Sequence, residues 1–405
     1  MFEDRGCVNM EFNKKTLIEL YDDEPVYNIL PAASVRPCRL ICLGGRKLRG
    51  QKIKEKTVTP LRYLGIDVPC EFYTADMSDL ASVKKQLEII IDTYPDCIVD
   101  ITGGNETALV AVGAVSAERS LSVFRYDRLK GCFRNVCGCE EIEGSVPDSD
   151  FSVDAILSMA GGAMKSHGHL SVSELDERTE ADVFRIWTVY KKHHRGWHKA
   201  VAYLQQVSKD LEGDELSVDA PSVVYGSRSI NGADKAIMNE LSEAGIIRNY
   251  RTDGGRISFD YSSPLMRSCL CDAGICLELY VFAVAKRMGV FGDVRISVVI
   301  DWDGDLRAGI NTINEIDVMA VRGFIPLFIS CKSGTPNVTA LNEIKTLSDR
   351  FGGEFARPVL VTMSDVRGRD RYLAERAKDM GVTLIDRSDL ISEKLPKKLF
   401  GISQI

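Results

Sequence analysis

From Thr16 onward the chain alternates short β-rich runs with helical segments, a pattern that commits it to parallel strands joined by crossover helices. Strands are expected at residues 17–21, 39–43, 70–74, 97–101 and 120–125. Helices are expected at 26–35, 52–64, 79–94 and 106–118, with a hairpin over 120–136. This gives a doubly wound α/β unit ending near residue 150. Ligands of such sheets sit beyond the carboxyl ends of the strands, so the loops just after them carry the functional information.

Three of those loops are unusual. The first strand is followed by Asp22-Asp23-Glu24-Pro25, the second by a glycine- and base-rich stretch from Gly44 to Gly50, and the fourth by Thr102-Gly103-Gly104-Asn105-Glu106-Thr107. Adjacent glycines let backbone N–H groups approach an anion at a helix N-terminus, and Thr102 and Asn105 add polar contacts. The competing reading is a tight strand-to-helix turn capped by Asn105. Neither G-x-G-x-x-G nor G-x4-G-K-[ST] occurs there, which disfavours dinucleotide and P-loop chemistry. Arg46, Lys47, Arg49, Lys52, Lys54 and Lys56 either reach phosphates on the same edge or form a plain solvated basic face.

The chain of 405 residues is long enough for two or three domains, each with its own core. Its net charge of -7 excludes a basic protein overall, so nucleic acid can bind only at a local patch. The first ten residues, MFEDRGCVNM, carry neither a basic nor an apolar leader region, and no run of about 18 apolar residues occurs. A cytoplasmic location without membrane contact is the expectation. The cysteine clusters Cys132/Cys137/Cys139 and Cys269/Cys271/Cys276 lack the paired C-x2-C spacing of structural zinc sites. Cys38, Cys42, Cys97 and Cys331, within apolar strand-like runs, read as reduced, small hydrophobes.

Residues 151–263 read as a linker and a small helical unit. The glycine-rich run 161–168 suggests a boundary, and 178–212 carries two helices. Residues 234–247, with a hairpin at Asp253-Gly254-Gly255, resemble a small winged-helix unit. Such a unit reads DNA or links a sensor to an effector. His193, His194 and His198 form either a metal group or, the blander reading, a solvated helix face.

The final segment, 264–405, opens on a long amphipathic helix with Leu270, Leu277, Val281, Val284 and Met288 along one stripe and Glu278 at its flank. Strands follow at 294–301, 314–321 and 325–332, then a helix at 339–350, a strand at 359–362, a helix at 370–379 and a strand at 382–385. Asp301, Asp303 and Asp305 imitate a calcium loop, but Leu306 and Thr312 stand where Gly and Glu are needed, so this is an ordinary acidic turn. The central pair of strands reads as a hairpin turning at Gly323-Phe324, where Gly323 tolerates a positive φ. That register sets Asp317 opposite Ser330 and Lys332 diagonal to Asp317. Opposite charges inside apolar strands must be paired or must hold a metal. Either a structural ion pair or a reactive site satisfies that requirement.

The order helix, three antiparallel strands, helix, strand, with Asp317 ahead of Ser330-Cys331-Lys332, resembles a PD-(D/E)xK nuclease, a restriction-endonuclease-like α/β domain. The first 150 residues, with their TGGNET loop, are similar to CARF domains, Rossmann-like sensors of cyclic oligoadenylates. Together they resemble the CARF-containing nucleases that accompany type III CRISPR systems. The resemblance implies a sensor over 1–150, a linker with a winged-helix-like region over 151–263, and a nuclease domain over 264–405. It puts the motif aspartate on Asp317, the variable carboxylate position on Ser330 and the lysine on Lys332. Because Ser330 is a poor ligand for a hard dication, a second carboxylate has to come from elsewhere. Glu278 is favoured for it, with Glu343 and Glu315 as other candidates.

Asp317 and Glu278 would then hold Mn2+ or Mg2+ for hydrolysis of DNA or RNA, with Arg367, Arg369 and Arg371 gripping the backbone. The activator implied is cyclic tetra-adenylate. It would be bound across a homodimer axis by residues 102–107 with Gly45, Arg46 and Glu24. The alternative is a ligand-sensing, DNA-binding regulator whose nuclease fold is degenerate at Ser330.

Overall fold

The computed structural model describes residues 12–147, 150–167, 174–225, 230–304 and 313–404. Strand β1 (Thr16–Leu20) is buried along its whole length at the centre of a six-stranded sheet. With β2 (Arg39–Gly44), β3 (Cys70–Thr74), β4 (Cys97–Asp100), β5 (Ser122–Asp127) and β6 (Cys132–Cys137), it gives the order β3-β2-β1-β4-β5-β6. Every pair is parallel except β5 with β6. The strand order reverses between β1 and β4, so the loops after these two strands flank the switch point.

The crossover helices are α1 (Leu30–Val35), α2 (Gln51–Tyr63), α3 (Leu80–Thr93) and α4 (Glu106–Arg119). Side chains alternate across the strands. Ile18, Leu20, Ile41, Leu43 and Val99 meet the buried stripes of α3 and α4. Leu17, Leu40, Cys42 and Ile98 face the other way, into a core continuous with the rest of the chain. The helix expected over 26–35 is divided into a 3-10 turn, Pro25–Asn28, and α1. Asn28 explains the break, because its side chain exchanges hydrogen bonds with the Asp22 backbone instead of continuing the helix (2.8 Å each).

The glycine-rich run does not act as a plain linker. After α5 (Val153–Met159), strand β7 (Ala163–His167) joins the edge of the second sheet by pairing antiparallel with β13 (Asp293–Asp301). Between them lie α6 (Glu177–Lys192), α7 (Trp197–Val207), β8 (Ser217–Pro221), the ribbon β9 (Val223–Tyr225) with β10 (Ile230–Gly232), α8 (Lys235–Glu243), and the hairpin β11 (Ile247–Asp253) with β12 (Arg256–Tyr261). The sheet β11-β12-β8 has three strands, and α8 packs against its β11. Gly168, with Asp305, Leu306 and Thr312 of the acidic turn, lies outside the described residues.

The second sheet has the order β17-β16-β15-β14-β13-β7. It contains β14 (Ile313–Arg322), β15 (Ile325–Lys332), β16 (Arg357–Thr362) and β17 (Thr383–Ile385). Strands β13, β14 and β15 are antiparallel, and β15, β16 and β17 are parallel. Its helices are α9 (Pro264–Cys271), α10 (Ala273–Arg287), α11 (Val338–Gly352), α12 (Val366–Arg369), α13 (Arg371–Asp379), α14 (Arg387–Ile391) and α15 (Leu395–Ile402).

The expected amphipathic helix is in fact two. Asp272 ends α9 and caps α10 by accepting the Gly274 N–H (2.7 Å), so Leu270 belongs to α9. Every residue of α10 from Ile275 to Ala285 is buried, Glu278 among them. Such a helix is hydrophobic all round because α6, α9 and the sheet enclose it. Trp187 on α6 stacks on its Tyr280 with centroids 3.9 Å apart. No helix among the described residues is long and apolar enough to cross a membrane.

Candidate functional site

Strands β14 and β15 turn through Gly323-Phe324, with Gly323 at φ +58°, where a Cβ would be strained. Their pairing runs from Arg322 opposite Ile325 to Val318 opposite Ile329 and stops there. Beyond that point β14 pairs only with β13, and β15 pairs with β16. Asp317 sits at this fork. Its Oδ2 accepts the Cys331 N–H at 2.6 Å, the Ser330 hydroxyl at 3.3 Å and Lys332 Nζ at 3.5 Å. The carboxylate thus takes a backbone N–H that a ladder carbonyl would otherwise satisfy. All three contacts fall on Oδ2, so Oδ1 holds the coordination capacity that is left.

Glu278 reaches the same place from α10. The Cys331 thiol is pushed well above its ordinary range by burial first, then by the carboxylates of Asp317 and Glu278, while Lys332 pulls it down. Asp317 and Lys332 thus meet beside Cys331, and α10, which buries Glu278, packs against both of their strands. Glu343 does not join them. It is exposed on α11, in no hydrogen bond or ion pair with Asp317 or Lys332. Glu315, also exposed, receives the Ser297 hydroxyl.

Ser297 is the residue that sequence reasoning missed. On β13 it lies between the pairs Ile296–Val318 and Val298–Ile316, opposite Asp317, yet its φ is +56° and its exposure is 0%. Among the described residues it is the sole non-glycine with positive φ in this sheet. Holding a serine there costs on the order of 1–3 kcal/mol, and such strain clusters at functional sites. Nothing in the apolar run around Ser297 signals it.

The chemistry of the donor set fits a hard dication. Two carboxylates supply charged oxygens, and backbone carbonyls and water are ordinary further ligands. Among the described residues no group of three or more His, Cys, Asp or Glu gathers into a metal cluster, and the described cysteines are free thiols.

At the first sheet the loops after β1, β3 and β4 are tied together. Asp22 Oδ2 accepts the Gly104 N–H across the switch point (3.0 Å), and Asn105 donates to the Met77 carbonyl (2.8 Å) while capping α4 through the Ala108 N–H (3.0 Å). Asp22 therefore occupies the anion position expected for a phosphate at Gly104. Gly103 and Gly104 are required by crowding, since a Cβ on either would come within 2.8 Å of Asp22 or Leu20. Thr102 is held by Asp100 through its N–H (3.0 Å) and hydroxyl (2.6 Å), and its Oγ1 accepts the Tyr126 N–H (2.7 Å). Arg46, Asn105 and Glu106 are exposed on this edge; Thr107 and Gly45 are half-buried.

Glu24 lies elsewhere. The Pro25 turn aims it at the second sheet, where it accepts the Glu354 N–H (3.3 Å), and burial above all raises its carboxyl. The three expected backbone-gripping arginines also separate. Arg367 is tied to Asp386, Asp389 and the Leu384 carbonyl, a structural network that leaves it little to offer a substrate. Arg371 lines a different cavity, with Ala374 and Lys378. Arg369 faces the cavity just beyond Lys332.

No family model matches the sequence, and no curated protein matches it. Solved structures do. Protein VC1899 from Vibrio cholerae superposes with a TM-score of 0.74 at 18% identity, over 96% of this chain and 98% of that one. Can2 from Sulfobacillus thermosulfidooxidans, solved in complex with cyclic tetra-adenylate, gives 0.67 at 14% identity, over 96% of this chain and 100% of its own. A type III CRISPR defence DNA nuclease activated by cyclic oligoadenylate matches 86% of this chain and 45% of its own, with a TM-score of 0.47, too low to bear on the fold. At these identities the likeness is one of fold, and it extends from end to end of the chain.

Proposed function

We propose that this chain is a metal-dependent nuclease switched on by a cyclic oligoadenylate in type III CRISPR defence, with cyclic tetra-adenylate as the ring that suits it best. The observation that carries the reading is the set of contacts on Asp317 Oδ2 from the Cys331 N–H, the Ser330 hydroxyl and Lys332 at the fork of β14 and β15, with Glu278 buried on the adjoining helix α10. The end-to-end fold likeness to Can2, a protein solved with cyclic tetra-adenylate, supports the activator.

Asp317 Oδ1 and Glu278 are the groups that would hold Mg2+ or Mn2+. When bound, such a dication polarises the phosphodiester and lowers the pKa of a coordinated water. The chain's own parts do the rest. The Cys331 N–H fixes Asp317, the Ser330 hydroxyl donates to it where a third carboxylate would otherwise sit, and Lys332 orients the attacking water and steadies the charge developing on the phosphoryl oxygens.

Activation begins at the first sheet. A ligand phosphate that takes the Gly104 N–H displaces Asp22, and a two-fold ligand suits two copies meeting across residues 102–107, Gly45 and Arg46. Leu109 and Val110, exposed on α4 next to that loop, give a second copy an apolar surface. The change passes from Thr102 to Tyr126, whose ring meets Phe324 at the tip of the β14–β15 hairpin (centroids 5.8 Å apart).

The test is cleavage of plasmid, single-stranded DNA and single-stranded RNA with Mn2+, with and without each cyclic oligoadenylate. We expect cleavage only with both metal and one ring. Lys332→Ala should lower it roughly 10²–10³-fold while leaving ring binding intact. Equal activity in every lane, or none in any, counts against the proposal. Ser330 favours one second reading, a ring-sensing DNA-binding regulator with a degenerate nuclease fold. Ring-dependent DNA binding with no cleavage under any metal would select it.

A further inference from the structure

The turn between α6 and α7 reaches across to the carboxyl ends of β15 and β16, one residue past Lys332. There it closes a cavity of about 260 Å3. From the turn come His194, Arg195 and His198; from the second sheet's own loops come Arg369 and Arg387. The seam is fixed by His198 Nε2, 3.1 Å from the Ser333 carbonyl. The floor is fixed by the Met363 N–H, which donates to the Lys332 carbonyl (3.2 Å). This is the end of a parallel strand pair, where open α/β sheets bind their ligands.

The charge inside favours an anion. Asp365 and Asp370 also line the cavity, but both cap helices: Asp365 accepts the Gly368 N–H (3.1 Å) and Asp370 the Leu373 N–H (3.0 Å). Asp365 lies 3.3 Å from Arg387 and 3.9 Å from Arg369, so it orients these guanidinium groups. Arg195 is exposed and forms no ion pair among the described residues. A guanidinium without a counter-ion, facing a second arginine across a concave site, is suited to a phosphodiester.

We propose that this cavity binds a backbone phosphate of the nucleic acid next to the one held at Asp317 and Lys332, with Arg195 and Arg369 as its contacts. The proposal rests on the nuclease reading and adds to it a substrate-binding site. Part of that site comes from the turn between α6 and α7, outside the second sheet. The expected solvated histidine face is thus a wall of the cleft.

The experiment is fluorescence anisotropy of a labelled oligonucleotide, single-stranded and duplex, with full-length protein carrying Lys332→Ala so that the probe stays intact. Adding Arg195→Ala and Arg369→Ala should weaken binding roughly tenfold at about 0.1 M salt and cut the slope of log K against log salt by about 0.7–0.9, the value for one phosphate contact. Lys85→Ala, exposed on α3 of the first sheet, should change neither. Unchanged affinity and slope in the double variant, or no binding by the parent, overturns the proposal. The two readings fail separately. Arginine-dependent binding without cleavage under any metal or ring keeps the cavity and removes the nuclease. Cleavage whose KM is unmoved by the arginine changes keeps the nuclease and removes the cavity.

Discussion

Both six-stranded sheets bury carboxylates among apolar strands, and they treat them in opposite ways. In the first, Glu19 on β1 is level with Cys42 on β2 and Asp100 on β4, and both acids are completely buried. No cation forms an ion pair with either among the described residues. Burial, reinforced by Asp100, raises Glu19 well above its ordinary range; burial also pushes Asp100 up to about 7, against the lowering bonds from Thr102. Both shifts favour the neutral forms, and Asp100 supports the loop above it by accepting the Thr102 N–H and hydroxyl. In the second sheet Asp317 has a lysine, a hydroxyl and a backbone N–H, at a fork that opens outward. A carboxyl faced by a like group is sealed from water and pushed toward its neutral form, whereas one faced by an ammonium at a strand end is available for chemistry. The two are joined by the tip of the hairpin that carries Asp317.

That junction is the place to break the comparison first. Phe324 is buried against Tyr126, Phe151 and Phe355, with centroids 4.9–6.4 Å apart. Truncating it with Phe324→Ala should cost about 3–5 kcal/mol, read as a shift in the urea midpoint. If the sheets communicate there, the milder Phe324→Leu should lower the ratio of ring-activated to basal cleavage while ring binding stays constant. A large stability loss with an unchanged ratio would reduce the tip to packing.

Much of this was legible in the sequence, because period and turn chemistry are local. The alternation of strands and helices, the Gly323-Phe324 turn and the approach of Lys332 to Asp317 follow from spacing alone. Glu278 lies on a helix as the sequence suggests, but that helix is not amphipathic, because burial on all sides erases the periodicity that sequence reading relies on. Asp22 at the Gly104 N–H, Glu24 turned to the second sheet, Arg367 locked by Asp386 and Asp389, and the strained Ser297 were not legible. Each depends on a partner distant in sequence or on a backbone angle no residue type announces. The cavity at Arg195 escaped for the same reason, since its walls lie more than 130 residues apart.

The sealed pair makes a pH prediction with a fixed sign. Glu19 and Asp100 bind protons more tightly in the folded chain than in the unfolded one, where carboxyls titrate near 4. Their contribution to stability is therefore greatest in acid and is lost as pH rises from about 4 through the folded values, including the value near 7 at Asp100. The slope is about 1.4 kcal/mol per pH unit for each proton concerned. Glu19→Gln keeps the shape and removes one of the two titrations, leaving that of Asp100. Its Tm should fall less than the parent's between pH 5 and 8, and at pH 8 it should be the more stable protein. Parallel curves would show that the pair does not hold its proton.

The smallest effect sharpens the junction rather than breaking it. Tyr27 donates its hydroxyl to Glu354, which also receives Arg128, while the Tyr27 ring packs edge-on against Phe355 at 6.1 Å. This is the polar rim of the same seam that Phe324 fills at its centre. Tyr27→Phe keeps the ring contact and removes only the hydroxyl, so it should cost about 1 kcal/mol in urea unfolding, the scale of one partly exposed hydrogen bond. In a Glu354→Gln background the further cost of Tyr27→Phe should shrink, because part of what the hydroxyl gains comes from the acceptor's charge. A cost that is the same in both backgrounds would place the hydroxyl's effect elsewhere. The aromatic centre would then be the only part of the seam that joins the sealed sheet to the open one.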